Sequence, residues 1–158
     1  MDLADKFVLV TGASSGIGRA LARELAGRGS RLVLTALEEP QLVEIAGEIA
    51  ARHGARVEFR AADLTDAGSR DDLVAWLRSR SDPLDVIVSN AGGGRFARFA
   101  TAPWEDLRRT LALNVDAPTH LLRALLPLLL ARPEGRIAIV SSGIARLPYP
   151  GLAAYGAS

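Results

Sequence analysis

Short apolar runs alternate along this chain with longer stretches whose apolar residues return every three or four positions. FVLVTG (7–12), RLVLTA (31–36), RVEFRAADL (56–64), LDVIVSNAGGG (84–94) and RIAIVSS (136–142) are runs of the first kind and read as buried strands. IGRALARELAGRG (17–29) places Ile17, Leu21 and Leu25 on one helical face and stops at Gly27 and Gly29. QLVEIAGEIAARHG (41–54) is a second amphipathic helix, with Pro40 near its first turn and Gly54 after its end. SRDDLVAWLRSR (69–80) is a third, with Ser69 as the expected cap. A long helical stretch runs from about Thr101 to Ala131. Strand and helix alternate throughout, which predicts an α/β domain with a parallel sheet and helices on both faces.

Composition narrows what such a domain can do. The chain has 158 residues, enough for one ordinary domain, and its net charge of +1 does not point to nucleic acid or an anionic membrane. It holds no cysteine, so disulfides, thiolate metal sites and thiol catalysis are excluded. His53 and His120 lack metal-like partners in sequence and read as helix-surface residues, so no metal site is expected. The start, MDLADKF, carries two acids and no apolar run, and LLRALLPLLLA (121–131) is short of the roughly 20 apolar residues of a membrane span. A cytoplasmic protein is the expectation.

The first strand runs through TGASSGIG (11–18) straight into a helix. Gly12 permits a tight turn at the strand end. Gly16, with no side chain, lets a pyrophosphate approach the backbone, and Gly18 lets the helix pack closely on the sheet. The helix start then offers free N–H groups and a favourable dipole to the phosphates. A purely structural strand-to-helix turn would use glycines too. Strand before and helix after is the context that a phosphate-binding role requires.

With its T-G-x-x-x-G-x-G spacing, the chain resembles the short-chain dehydrogenase/reductase family. Later segments carry the likeness further: Asp63-Leu64 after the third strand, Asn90-Ala91-Gly92 after the fourth, Asn114 in the long helix, Ser142 after the fifth strand and Tyr155 thirteen residues on. Ser89 stands where many members have a second Asn before N-A-G. The resemblance covers essentially the whole chain. It implies a single NAD(P)-binding Rossmann-like domain over 1–158, a doubly wound parallel sheet whose five strands lie in the order 3-2-1-4-5, and further C-terminal strands and helices outside this sequence.

The resemblance also assigns roles. Gly12, Ser14, Ser15, Gly16, Ile17 and Gly18 would hold the dinucleotide phosphates. Asp63 and Leu64 would meet the adenine ring, and Asn90, Ala91 and Gly92 would line the nicotinamide side. The implied activity is hydride transfer between nicotinamide and an alcohol or carbonyl substrate. Tyr155 would be the acid/base, Ser142 would hold the substrate oxygen, and Asn114 would hold a relay water. Plainer roles stand beside these. Asp63 could be a turn residue before Thr65, Asn90 could tie strand ends together, and Arg95 and Arg98 could be solvated rather than substrate-facing. Pro118 has no N–H to give the Asn114 carbonyl, so a kink is expected there. Family members place a lysine four residues after the tyrosine, where it favours the phenolate; that position would be 159, just beyond Ser158. The expectation is a portion of a longer enzyme, inactive on its own without that lysine, with a non-catalytic nucleotide-binding or interaction module as the alternative. Homodimers or homotetramers would follow from the family.

Cofactor choice is read at LTALEE (34–39). Ala36 replaces the acid of many NAD users and Leu37 the arginine of many NADP users. Small Ala36 and the hydroxyls of Ser14, Ser15 and Thr35 leave room for a phosphate, which favours NADP over NAD, whereas Glu38 argues the other way if it turns inward. LPYPG (147–151) is expected to border the substrate pocket, with Tyr149 as a contact.

Overall fold

Successive residues of a strand point to opposite faces of its sheet, so a run that is apolar at every position needs cover on both sides. β1 (Phe7–Thr11) is such a run, and all five of its residues are buried. Phe7 and Leu9 join a core with Val33, Ile87 and residues such as Leu73, Leu121 and Leu125. Val8 and Val10 point the other way, into a core with Leu32, Leu34, Val88, Leu42 and Ile45. The computed structural model describes residues 2–147 and 149–158.

The elements follow as α1 (Gly16–Gly27), β2 (Arg31–Ala36), α2 (Glu39–His53), β3 (Val57–Ala61), α3 (Ala67–Arg78), β4 (Val86–Ser89), α4 (Trp104–Leu111), α5 (Ala117–Leu130), β5 (Arg136–Ile139) and a short α6 (Ala153–Gly156). The five strands form one parallel sheet in the order β3-β2-β1-β4-β5. This is the Rossmann-like arrangement expected from the sequence. α1 and α2 cover one face, α3 and α5 the other. β3 and β5 are the outer strands; β5 pairs with β4 alone, and its four residues are exposed.

Two readings of the sequence need correction. Ser69 does not cap α3: Asp66 does, its carboxylate accepting a 2.7 Å hydrogen bond from the Ser69 N–H. The long helical stretch is present from Trp104 to Leu130, but it is not α-helical throughout. A 3-10 turn at Phe99–Thr101 precedes α4, Pro103 takes the N-cap of α4, and a π turn over Ala112–Asp116 joins α4 to α5. In that turn the Ala117 N–H reaches back five residues to the Ala112 carbonyl. The widened turn lies directly ahead of Pro118, whose nitrogen has no hydrogen to donate. Among the described residues no helix is long and apolar enough to cross a membrane.

Candidate functional site

The carboxyl ends of all five strands open onto one cleft of about 580 Å³. That is within the usual range for a ligand site. Its wall takes residues from the ends of β1 to β5, from α4, the π turn and α5, and from Tyr155 and Ser158.

The glycine loop forms the floor, and each glycine answers a different demand. Gly12 has φ +65°, and a Cβ there would stand 2.9 Å from the Ala91 Cα. Gly18 sits beneath the loop rather than in the cleft; a Cβ would overlap the Gly12 carbonyl and come within 2.5 Å of Asn90 Nδ2. Gly16, at φ +51°, would meet nothing within 4 Å, because it faces open space. Ser15, the N-cap of α1, makes no side-chain hydrogen bond to the helix start, and no acidic residue lies in its first turn. An uncapped helix N-terminus behind a backbone with no side chain in front of it fits a dinucleotide pyrophosphate. Ser14, Ser15, Gly16 and Ile17 line the cleft beside it.

Thr11 holds this loop to the neighbouring strand end. Its Oγ1 accepts hydrogen bonds from the N–H groups of Asn90 and Ala91, both at 2.9 Å. In return Asn90 Nδ2 donates to the carbonyls of Thr11 (2.9 Å) and Gly12 (3.3 Å). Asn90 therefore does tie strand ends together, and in doing so it sets Ala91 and Gly92 on the cleft wall. The Thr-Gly pair was visible in the sequence, but the hydroxyl's partners lie about eighty positions away and left no local signal.

Asn114, in the π turn, clamps the loop after β4. Its Oδ1 accepts from the Gly93 N–H at 2.9 Å, and its Nδ2 donates to the Gly93 carbonyl at 3.0 Å and to Ser158 Oγ at 2.7 Å. Every hydrogen-bonding capacity of the amide but one lone pair is thus used in positioning. Ser158 Oγ donates on to the Tyr155 carbonyl at 3.0 Å, which links α6 to the π turn. Tyr155 lies against Gly94, where a Cβ would stand 2.9 Å from the tyrosine's own Cβ and ring edge. Ser142 lines the same cleft as Tyr155, and its hydroxyl accepts from the Ile144 N–H at 3.3 Å.

Asp63 and Leu64 line the cleft as well, as does Arg109 of α4. Asp63 Oδ1 accepts from the N–H (2.9 Å) and hydroxyl (2.6 Å) of Thr65, so it is a turn residue as well as a cleft residue. Its Oδ2 meets an Arg109 nitrogen at 3.4 Å. Burial works against the charge on Asp63, but the two Thr65 bonds and Arg109 outweigh it and hold the carboxyl below its ordinary value. Sequence reasoning did not single out Arg109, because its partner Asp63 lies 46 positions away and leaves no local signal.

Every residue given a catalytic or cofactor-binding role from the sequence lines this cleft except Gly18, which packs under it. Thr35 does not belong to it. Its side chain is fully buried within the sheet, so it cannot help receive a phosphate. Arg95 is occupied by Asp106 at 2.9 Å. Tyr149 is not part of the cleft wall and is tilted against Phe96 with ring centres 6.4 Å apart; Pro148 of the same segment lies outside the described residues. His120 sits 3.4 Å from Asp71 on the outer helices.

Comparison with known proteins places this geometry in context. A sequence model described as short chain dehydrogenase matches residues 6–158. A short chain dehydrogenase of Pseudocercospora fijiensis is 35% identical over 159 residues, covering 99% of this chain and 51% of that protein. An uncharacterized oxidoreductase of Myxococcus xanthus is 36% identical over 157 residues, covering 99% of this chain and 62% of that protein. In structure, L-sorbose reductase of Gluconobacter frateurii, solved with NADPH and L-sorbose, superposes with a TM-score of 0.92 at 33% identity, over 99% of this chain and 60% of that one. The chain therefore spans between half and two-thirds of the length of these relatives.

Proposed function

Because the chain belongs to the short chain dehydrogenase family, we propose that residues 1–158 are the nucleotide-binding domain of an NAD(P)-dependent oxidoreductase acting on an alcohol or carbonyl compound. The observation that carries this reading is the one cleft lined by the glycine loop together with Ser142 and Tyr155. Gly12, Ser14, Ser15, Gly16 and Ile17 hold the phosphates. Asp63 and Leu64 take the adenine, and Asn90, Ala91 and Gly92 take the nicotinamide side.

When bound, the nicotinamide supplies or receives the hydride. The protein's residues handle the proton and the oxygen. Tyr155 gives its phenolic proton to the substrate oxygen in reduction and accepts one in oxidation. Ser142 donates a hydrogen bond to the same oxygen and orients it. Asn114 fixes the loop at Gly93 and, through Ser158, the base of the tyrosine helix. Its backbone carbonyl, which Pro118 cannot serve, is left for a relay water.

Of the two dinucleotides we favour NADP(H). Ala36 and Leu37 leave the end of β2 open, Glu38 is exposed and outside the cleft wall, and a structural relative carries NADPH. We also propose self-association through the exposed apolar residues Leu111, Val115, Leu126 and Leu130 of α4, the π turn and α5. The test of the central reading is oxidation of reduced dinucleotide by the full-length protein against a panel of ketones and aldehydes, wild type beside Tyr155→Phe. The reading expects turnover to fall by roughly 10² or more with dinucleotide affinity unchanged. Turnover that survives the substitution would defeat the role of Tyr155. Dinucleotide binding with no turnover by the wild type would favour a non-catalytic module.

A further inference from the structure

We infer, resting on the dinucleotide reading above, that Arg109 is a specificity-determining residue which reads the adenine base jointly with Asp63. Arg109 and Asp63 are the one cation and the one anion among the described residues whose side chains line the cleft, and they stand together, 3.4 Å apart. A site for a polyanionic cofactor has placed its single positive side chain beside its single carboxylate, at the place proposed for a neutral ring.

The hydrogen-bond inventory shows what is left over. Asp63 Oδ1 is filled by the N–H and hydroxyl of Thr65. Oδ2 has only the 3.4 Å contact with Arg109, longer than a good N–H···O bond. One carboxylate oxygen is therefore fixed in direction and still able to accept. The Arg109 side chain is about half exposed, at 52%, and makes that one contact out of five possible donors. As a part-exposed, long ion pair it contributes little to folding. What it supplies is a permanently charged donor next to an ionised acceptor.

Adenine presents the complement of that pair: an amino group that donates, flanked by ring nitrogens that accept. A neighbouring donor and acceptor on protein is the pattern by which a single Asn or Gln reads adenine in a nucleic-acid groove. Here two residues from separate elements, the loop after β3 and helix α4, share the task. Asp63 Oδ2 takes the amino proton while the guanidinium gives to the adjacent ring nitrogen. A hypoxanthine base, with a carbonyl in place of the amino group, sets an acceptor against Asp63 and loses the match.

The test uses three reduced probes, each followed by nicotinamide fluorescence: the adenine dinucleotide, its hypoxanthine analogue, and nicotinamide mononucleotide, which lacks the base. The wild type is expected to favour the adenine form by about tenfold or more. Arg109→Met is expected to weaken that form about tenfold, narrow the preference and leave the mononucleotide unaffected. Arg109→Lys, which keeps the charge but not the fork, is expected to fall between. A methionine variant that binds the adenine form as the wild type does would overturn the inference. So would an equal loss for the mononucleotide, since that marks a disturbed fold. A wild type that binds none of the three overturns the dinucleotide reading itself and this inference with it.

Discussion

Replacing Gly18 by alanine separates packing from helix propensity, because the two demand opposite signs. Gly18 lies inside α1, where alanine is ordinarily the better residue by about 1 kcal/mol. The structure leaves it no room. The added Cβ would stand 2.5 Å from Asn90 Nδ2 and 2.8 Å from the Gly12 carbonyl carbon, and would overlap the carbonyl oxygen. Ordinary contact needs about 3.5 Å, so the helix start and the loop must part by about 1 Å. Overpacking of this kind costs about 1–3 kcal/mol. The movement also strains the two Asn90 amide bonds to Thr11 and Gly12, each worth about 1 kcal/mol. After the propensity gain is subtracted, the net loss is about 2–4 kcal/mol. In a chain of this size that lowers the melting temperature by about 5–15 °C. Gly16→Ala is the control. It meets nothing within 4 Å, so its cost is the positive φ alone, about 1–2 kcal/mol. Its methyl group would instead obstruct the phosphate site. Thermal unfolding followed by circular dichroism should rank wild type above Gly16→Ala above Gly18→Ala. A Gly18→Ala variant that melts at or above wild type would refute the packing argument.

Other consequences are equally direct. Thr11→Val keeps the shape but strips two backbone N–H groups of their acceptor, at about 1–3 kcal/mol each, and Thr11→Ser should recover most of the loss in a urea titration; equal midpoints for valine and serine would contradict this. Asn114→Ala removes three hydrogen bonds and should destabilise by about 2–3 kcal/mol, with faster amide exchange at Gly93; unchanged exchange there would show the clamp to be idle. Glu48 is held down to about 2, below its ordinary 4.5, by its hydrogen bonds to Arg23 and then Arg19. Its folded value is depressed, so its contribution is present above pH 4.5 and is lost as pH falls toward 2. Glu48→Gln should flatten the fall of urea midpoint across that window, and an unaltered slope would count against the pairing.

What could be read from the sequence, and what could not, divides by distance along the chain. The strands and helices were legible because their signal is local: β1 is apolar on both faces, and Gly54 at φ +62° ends α2 as its position suggested. The break before α4 was legible too in principle, since Pro103 sits one residue ahead of Trp104, yet the helical pattern on either side masked it. Pro118 announced a disturbance at Asn114, though not that the backbone would resolve it as a π turn. Thr11, Gly94 and Arg109 acquire meaning only through Asn90, Tyr155 and Asp63, which lie far from them in sequence. Thr35 was misread because β2 is covered on both faces, so the place of the residue inside the sheet, and not its type, decides what its hydroxyl can reach.

The account rests on one cleft receiving one dinucleotide along the strand ends. The most direct measurement is a ¹⁵N-resolved titration of the chain with reduced dinucleotide, following each backbone amide. The account predicts saturable shifts concentrated at Gly12, Gly16, Leu64, Asn90 and Gly92, with the amides of the outer α1–α2 surface unmoved. Shifts that gather on that outer surface, or amides of the glycine loop that stay still as the ligand is raised, would contradict it.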